Sequence, residues 1–399
     1  MCTAAQYHAH RSPLRMRTTA PPRPQQPLRQ RPDVAVCYGT RPQVIKAARL
    51  VPALRSRWEV LTVDTGQHYD YALNAGLYHD LRVAPPAVFL GVGAAHAVEQ
   101  TARIAAAASH VLMARAPRVV VVIGDTNSTL GCAIAATELG IPLVHVEAGL
   151  RSGVADMAEE RNRIAVDALS RVLCAPSDLA VATLQQEGLG GTVVQTGDVS
   201  LDVLNAALGT APPVTDVAEL PAVPFVLATL HRAELADNRE RLAGALAALG
   251  QLGLPVVFPM HPRTAARVTA FELGAQVPEN VRVLPPFGYL ANLTALRHAA
   301  VVVTDSGGVQ REAYWLGTPC VTLRGETEWP ETVTCGANRL VLPDDAVASL
   351  AAAVRSAMST PRVWSRKAYG DGTAAEAIAD AVAPLITPSR TRVRALVTQ

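Results

Sequence analysis

Short apolar runs alternate with longer amphipathic segments along most of this chain. The run from Val119 to Ile123 is β-branched throughout and too short for a helix, which is typical of a strand buried on both faces of a parallel sheet. It ends on Gly124 and Asp125, and the next segment has apolar residues three and four positions apart. This spacing predicts a helix that one of residues 126–128 caps and Gly140 closes.

The same unit of strand, polar turn and helix recurs in two series. The first series occupies residues 34–205, with further strands predicted in VAVC, VLTVDTGQH, IPLVHVEAG, VLCAPSD and VVQTGDVS. Residues 206–223 are rich in proline and small residues, as linkers are. The second series occupies residues 224–365, with strands predicted in FVLAT, PVVFP, VRVL, AVVVT and PCVTL. This alternation predicts an α/β protein of two Rossmann-like, doubly wound domains that face each other across a ligand cleft.

Composition narrows the classes of function. With 399 residues, 49% of them hydrophobic, the chain can bury the cores of two domains. A net charge of +2 gives no reason to expect nucleic acid, and no apolar run approaches the roughly 20 residues of a membrane span. The six cysteines lie apart without a CxxC pair. We therefore expect reduced cysteines in a cytoplasmic protein, with neither a metal site nor a disulfide framework.

The first 33 residues differ from the rest. Residues 1–31 hold six arginines, several prolines and no acidic residue, without the apolar core of a signal peptide. This composition is typical of a disordered tail, and an incorrectly assigned start codon would explain it equally well.

Three carboxylates follow the predicted strands of the first domain. Asp125 and Glu147 come at the ends of neighbouring strands, and Glu159 opens the next helix. Ligands of open α/β sheets bind outside the carboxyl ends of the strands, so these acids are expected at one crevice. Mutual repulsion and partial burial can separate their pKa values, which favours proton-transfer chemistry. The alternative is that they cap helices or pair with nearby arginines.

Two turns in the chain have the features of anion sites. Arg41 follows Gly39 and Thr40 at a predicted helix N-terminus, with Lys46 one turn further on. Free backbone amides, the positive end of the helix dipole and a guanidinium together bind phosphate well. A purely structural alternative is that Arg41 pairs with a surface acid.

The second anion site lies in TDSGGVQREA. Ser306, Gly307 and Gly308 open a helix directly after a buried strand, an arrangement that fits a diphosphate. Glu312 comes one turn later, where acids of nucleotide-binding folds accept hydrogen bonds from ribose. The alternative is an ordinary helix N-terminus with an exposed glutamate. His231, at another strand end, is a candidate proton donor or phosphate contact.

The motifs taken together resemble one family. GTRPQVIK, TGQH, GDTNSTL, HVEAGLRSG, EERNR, GDVSLDVL, HRAE, HPRT, TDSGGVQREA, RGETEWPE and YGDG occur in order over about residues 34 to 385. They resemble the non-hydrolysing UDP-N-acetylglucosamine 2-epimerases. This resemblance implies the GT-B architecture, a homodimer, no NAD or metal cofactor, and a C-terminal helix in residues 366–390 that crosses back to the first domain.

The resemblance also implies a reaction and roles for residues. Such enzymes interconvert UDP-GlcNAc and UDP-ManNAc by anti elimination of UDP, through a 2-acetamidoglucal, and re-addition. The matching catalytic positions are Asp125, Glu147, Glu159 and His231. The candidate substrate-binding positions, each inside or beside a motif, are Arg41, Lys46, Gln67, His68, Arg151, Arg163, His261, Ser306, Gly307, Gly308, Glu312 and Arg324.

Other substrates and reaction classes stay open on the sequence alone. TGQHYDYAL, GVGAAHAVEQT and HRAE lie closer to the branch that includes epimerases of UDP-2,3-diacetamido-glucuronate. A hydrolysing epimerase would release ManNAc and UDP. A GT-B glycosyltransferase would leave the three carboxylates without a purpose, and a regulatory protein that only binds nucleotide sugars would not need them.

Overall fold

The computed structural model describes residues 31–67, 77–217 and 219–387. Nearly all of the predicted tail at residues 1–33, and also His68, lie outside the described residues. None of the described helices has the length and apolar character that crossing a membrane requires.

The first half of the chain builds one sheet and the helices around it. Its strands are β1 (Val34–Tyr38), β2 (Val60–Asp64), β3 (Val88–Phe89), β4 (Val119–Ile123), β5 (Leu143–Val146), β6 (Val172–Ala175) and β7 (Thr192–Gln195). Its helices include α1 (Arg41–Arg55), α2 (Ala97–Arg115), α3 (Asn127–Glu138), α4 (Ala158–Leu169), α5 (Asp178–Glu187) and α6 (Val199–Leu208).

The second half repeats the plan. Its strands are β8 (Val226–Thr229), β9 (Val256–Pro259), β10 (Val281–Leu284), β11 (Val301–Thr304), β12 (Cys320–Leu323) and β13 (Asn338–Val341). Its helices are α7 (Ala233–Ala236), α8 (Arg239–Gly250), α9 (Pro262–Ala270), α10 (Tyr289–His298), α11 (Gly307–Leu316), α12 (Pro330–Thr334), α13 (Ala346–Ser359) and α14 (Ala374–Ile386). Short 3-10 turns occur at Val214–Asp216, Gly274–Gln276 and Pro343–Asp345.

Both sheets are parallel and doubly wound, so the predicted α/β fold with GT-B architecture is confirmed. The strand orders are β3-β2-β1-β4-β5-β6-β7 and β10-β9-β8-β11-β12-β13. The order reverses between β1 and β4 in the first sheet and between β8 and β11 in the second. Ligands of such sheets bind at these switch points, outside the carboxyl ends of the strands. The exact domain boundaries at residues 205 and 224 stay predictions.

The strand β4 shows why the sequence forms this core. All five of its residues are completely buried, with alternate side chains in the two apolar clusters on opposite faces of the sheet. Both faces of the strand meet apolar neighbours, which explains why it is a continuous valine and isoleucine run.

The last helix returns to the first domain. Helix α14 packs against α1 and α6, and its side chains Ile378, Ala379 and Val382 are completely buried. The carboxylate of Asp202 in α6 accepts hydrogen bonds from the first two amides of α14, at 3.2 and 2.9 Å. The negative charge at the helix N-terminus also complements the dipole of α14.

Two glycines with similar backbones lead to a stability prediction. Gly149 (φ +83°) lies in the turn after β5, and a Cβ atom there would lie 2.4 Å from the carbonyl oxygen of Ala180. Gly140 (φ +64°) has no atom within 4 Å of the same position. We expect Gly140→Ala to lower the free energy of unfolding by about 1–2 kcal/mol, the cost of the left-handed conformation. Gly149→Ala should cost a further 1–3 kcal/mol or so, because backbone must move.

Urea unfolding of the two alanine variants beside the wild type measures this difference. Equal losses of stability would show that the turn after β5 is not crowded in solution.

Candidate active site

The candidate residues gather where the two switch points face each other. Arg311 of α11 contacts Glu147, which follows β5, at 2.9 Å. The hydroxyl of Ser177, at the start of α5, donates to Glu331 in α12 at 2.5 Å. Side chains of the two halves therefore touch across the cleft that the sequence predicts.

Glu147 lies at the centre of this contact. The residue is buried and its backbone has a φ of +73°, unusual for a side chain of this size. One carboxylate oxygen pairs with Lys46 of α1 and the other with Arg311. Burial raises the pKa of Glu147, and Asp125 adds to this, but Lys46 and Arg311 outweigh both and hold the pKa below its usual range. Glu147 is therefore a buried carboxylate that stays ionised at neutral pH.

Asp125 is oriented by helix α4. Its carboxylate pairs with Arg163, and the side chain keeps 28% of its surface exposed. The amide of Asn162 donates to the backbone carbonyl of Asp125 at 2.9 Å. Arg163 is almost completely buried and also donates to Glu160 at 2.7 Å. Arg163, predicted to bind substrate, thus holds one of the candidate catalytic acids.

Glu159 and Glu160 have different surroundings although they are adjacent. Glu159 is exposed in the first turn of α4. Glu160 is buried and accepts hydrogen bonds from the backbone amides of Ser152 and Gly153, at 2.9 to 3.0 Å. Glu160 therefore holds the loop that follows β5, and the catalytic assignment of Glu159 stays a prediction.

A buried histidine fixes the turn that carries Asp125. His145 of β5 has its Nδ1 atom 2.6 Å from Asp167 and its Nε2 atom 2.7 Å from the carbonyl oxygen of Gly124. Arg151 donates to Asp167 at 2.8 Å and to both carboxylate oxygens of Glu187. Within the described residues Arg151 pairs with these two carboxylates and with none of the three candidate catalytic acids. Its predicted contact with substrate stays a prediction.

The turn after β11 forms the other side of the site. The hydroxyl of Ser306 caps α11 by accepting from the amide of Val309. Gly307 and Gly308 are the first residues of this ten-residue helix. A Cβ atom on Gly307 would lie 3.2 Å from Nε1 of Trp329, so a side chain there would be crowded. The helix N-terminus and its unobstructed backbone amides favour an anionic ligand.

Two histidines lie beside this turn. Asp305 accepts from the backbone amides of His231 and Arg232 at 2.8 Å each, and its other oxygen lies 3.2 Å from Nδ1 of His231. This contact fixes one ring nitrogen and leaves Nε2 on the opposite side of a ring that is 37% exposed. The ring of His261 lies 5.4 Å from that of His231.

Arg41 of the first domain acts electrostatically on His261 of the second domain. Burial, the neighbouring His231 and then Arg41 lower the pKa of His261 to about 4. Arg41 is the first residue of α1, so its charge acts across the cleft on a residue of the second domain. His261 is accordingly neutral at pH 7, with the charges of Arg41, Arg263 and Asp305 around it.

The surroundings of Glu312 raise the pKa of its carboxyl group. It is buried on α11, one turn after the glycines. Burial raises the pKa of Glu312 to about 7, although Arg311 and the hydroxyl of Tyr289 act to lower it. Near neutral pH this carboxyl group is present in both protonation states, so it can donate as well as accept hydrogen bonds.

Comparison with known proteins decides the family. The sequence model of the family described as UDP-N-acetylglucosamine 2-epimerase matches residues 53–383. The chain belongs to this family.

Relatives and solved structures agree with that membership. The UDP-2,3-diacetamido-2,3-dideoxy-D-glucuronate 2-epimerase of Pseudomonas aeruginosa is 38% identical over 361 residues, which cover 88% of this chain and 99% of that protein. The UDP-N-acetylglucosamine 2-epimerase of Methanocaldococcus jannaschii is 36% identical over 360 residues, covering 86% and 97% of the two chains. A crystal structure of a UDP-GlcNAc 2-epimerase from that organism, in complex with UDP-GlcNAc and UDP, matches with a TM-score of 0.82 at 34% identity, covering 88% and 99%.

Two further predicted binding residues of this epimerase-family chain are engaged within the protein. The side-chain oxygen of Gln67 accepts from the amide and the hydroxyl of Ser128, at 2.9 and 2.6 Å, and so holds the first turn of α3. Arg324 is buried and donates to both carboxylate oxygens of Glu328, at 2.9 and 3.1 Å. Burial raises the pKa of Glu328, but the pair with Arg324 brings it to about 2. His68 lies outside the described residues.

Sequence reasoning missed three charged residues of the site, Arg311, Asp198 and Glu328. Arg311 bridges Glu147 and Asp198 although it lies more than a hundred positions from either along the chain. The sequence did contain a signal for Asp198, a Gly-Asp pair after a strand. Gly197 and Asp198 come after β7, and Gly124 and Asp125 come after β4. Among the described residues, no group of three or more His, Cys, Asp or Glu side chains is arranged to hold a metal ion.

Proposed function

We propose that the chain is a UDP-N-acetylglucosamine 2-epimerase that interconverts UDP-GlcNAc and UDP-ManNAc without net hydrolysis. One observation carries the proposal: the ionised carboxylate of Glu147 is in direct contact with Arg311, on the helix whose N-terminus is the Ser306–Gly308 turn. A group able to accept a proton and a turn suited to a diphosphate thus share one cleft. The proposal includes a cytoplasmic location, expected from the scattered cysteines, and the homodimer that the resemblance implies.

The chemistry needs both parts of the site. The hydrogen on C2 of the sugar is only weakly acidic, so a positioned carboxylate must remove it while UDP leaves C1. Anti elimination gives a 2-acetamidoglucal, and re-addition of UDP with protonation on the opposite face of C2 gives the epimer. Asp125, Glu147 and Glu159 are the proposed acids and bases on the two faces.

The leaving diphosphate needs stabilisation that grows as the C1–O bond breaks. The backbone amides at the start of α11, with Ser306, supply hydrogen-bond donors at a helix N-terminus. Arg41 and His231 supply positive charge or a proton from the two sides of the cleft. Glu312, with a pKa raised to about 7 by burial, is the proposed partner of the ribose hydroxyls, one turn further along the helix.

A second candidate substrate is a decorated UDP-sugar, UDP-2,3-diacetamido-glucuronate. The relative from Pseudomonas aeruginosa that carries this activity in its name is 38% identical over 99% of its length. The same elimination and re-addition at C2 apply, because the added groups lie at C3 and C6. Only the part of the cleft beyond C2 would differ between the two substrates.

The proposal is tested by incubating the protein with UDP-GlcNAc in heavy water and following the sugar by proton NMR. We expect deuterium at C2 and a growing UDP-ManNAc signal, because the proton returned to C2 comes from exchangeable groups. The protons on C1 and C3 must stay unlabelled, which serves as the internal control.

Other outcomes of this experiment separate the alternatives. Accumulation of free UDP with ManNAc would show a hydrolysing enzyme. Unchanged UDP-GlcNAc, with exchange at C2 of UDP-2,3-diacetamido-glucuronate, would favour the second substrate. No exchange with either sugar would refute a 2-epimerase.

A further inference from the structure

Arg311 connects parts of the site that lie far apart in the chain. It is buried on α11, and its Nε atom donates to the carbonyl oxygen of Gly307 at 3.3 Å. Its Nη1 atom donates to Glu147 at 2.9 Å and also pairs with Asp198. The hydroxyl of Ser200 lies 3.3 Å from the same nitrogen. One side chain therefore joins the glycine turn of the second domain to two carboxylates of the first.

Trp329 holds this arginine against the turn. The guanidinium carbon of Arg311 lies 3.8 Å from the centre of a ring of Trp329, a favourable cation–π contact. The same indole lies against Gly307. A Cβ atom added to that glycine would lie 3.2 Å from Nε1 of Trp329. The turn, the indole and the guanidinium are packed in series, so a displacement of the turn displaces Arg311.

We propose that Arg311 is a positioning residue that ties the Ser306–Gly308 turn to the carboxylate of Glu147. A diphosphate bound at the turn then fixes the orientation of Glu147 through the guanidinium, which couples nucleotide binding to proton transfer at C2. The inference rests on the function proposed above. Arginine fits this role because its planar fork serves several acceptors at once, whereas a lysine presents a single charged point.

Arg311 also affects the protonation of Glu147. Lys46 from α1, Arg311 from α11 and Asp125 from the turn after β4 act on this carboxylate. Asp198, at the start of α6, shares the Nη1 atom of Arg311 with it. Burial and Asp125 raise the pKa of Glu147, and the two cations lower it. Removing Arg311 therefore raises this pKa, and a base with a raised pKa becomes protonated at higher pH. The acidic limb of the pH profile must move to higher pH.

The test is Arg311→Met, a substitution that keeps much of the volume and removes the charge. We expect kcat to fall about tenfold or more because Glu147 loses its orientation, and the acidic limb of kcat/KM to move to higher pH. KM and the Kd for UDP alone, measured by calorimetry, should stay within about threefold of the wild type, because the phosphate contacts remain. A residue that is merely structural would not move the pH profile.

A matched control is Arg241→Met. Arg241 also binds both oxygens of one carboxylate, that of the 66% exposed Asp344, at 2.7 and 2.9 Å, and its other described carboxylate partner is Glu234 of α7. We expect this variant to match the wild type in kcat, KM and pH profile. An equal effect of both substitutions would overturn the proposal, since it would show a general response to losing an arginine.

A second variant covers the case in which Arg311→Met does not fold. The double substitution Arg311→Met/Asp198→Asn removes one charge of each sign, and the asparagine still caps α6 by accepting from Ser200. It is judged by the same kcat, pH and UDP measurements. Unchanged kcat, or a parallel loss of kcat and UDP affinity with a fixed acidic limb, overturns the proposal. So does failure of both variants to fold, which would make Arg311 a stability residue.

A failure of the proposed function is recognised separately. In that case the wild-type protein itself epimerises neither UDP-GlcNAc nor the diacetamido sugar, and the inference about Arg311 falls with it. When the wild type is active, only the variants decide the role of Arg311.

Discussion

Replacing Glu147 by glutamine is expected to lower turnover at least about 100-fold with the fold intact, the usual effect of removing a general acid or base. The amide keeps the size of the side chain and one acceptor oxygen, but its NH2 group is a donor and it cannot accept the proton from C2. Turnover of UDP-GlcNAc at saturation, and deuterium exchange at C2, measure the loss. A thermal unfolding curve of the variant shows that the protein stays folded.

The control for this substitution is Glu376→Gln. Glu376 also pairs with an arginine, Arg57, but its side chain is 58% exposed at the start of α14. We expect it to keep wild-type turnover. The corresponding substitutions Asp125→Asn and Glu159→Gln are expected to lower turnover as Glu147→Gln does. Near-normal turnover in all three would exclude the catalytic roles proposed for these carboxylates.

Arg163→Leu is expected to be the most destabilising of the substitutions considered, at about 3–5 kcal/mol. Arg163 is 2% exposed and is paired with Asp125 and Glu160. Removing one partner from a buried ion network leaves charges without compensation in a poorly solvated place, which costs more than the pair itself contributes. The free energy of unfolding in urea measures the loss.

Arg57→Leu provides the comparison, because Arg57 also has two carboxylate partners. Those partners, Glu376 and Asp380, are 58% and 72% exposed. Surface ion pairs of this kind contribute about 0–1 kcal/mol, so this variant should lose little stability. Similar losses in the two variants would show that burial does not set the cost of removing these arginines.

The sequence predicted the framework of the fold because the framework depends on local patterns. The predicted strand from Val119 to Ile123 is the observed β4. The observed cap of the following helix is Thr126, one of the three candidates at residues 126–128. Strands β3 and β13 were missed. The first has two residues, and the second begins with Asn338 and Arg339, so neither shows a continuous β-branched run.

The partners of the site residues could not be predicted in the same way. Glu159 and Glu160 are adjacent acids on one helix, and only the rotation of α4 against the sheet decides which of them is buried. Arg151 lies in a promising motif, yet it pairs with Asp167 and Glu187, 16 and 36 positions away. Such pairings follow from tertiary packing, which periodicity does not encode.

The position of α14 has a consequence for how the protein is made. The apolar side of α1 is covered by the last described helix, whose N-terminus is anchored by Asp202. A ribosome that has synthesised the first sheet has not yet supplied this cover, so the amino-terminal half emerges with an unprotected hydrophobic surface. The cover arrives only after α14 has left the exit tunnel, and a single cut at the linker would leave this side of α1 exposed.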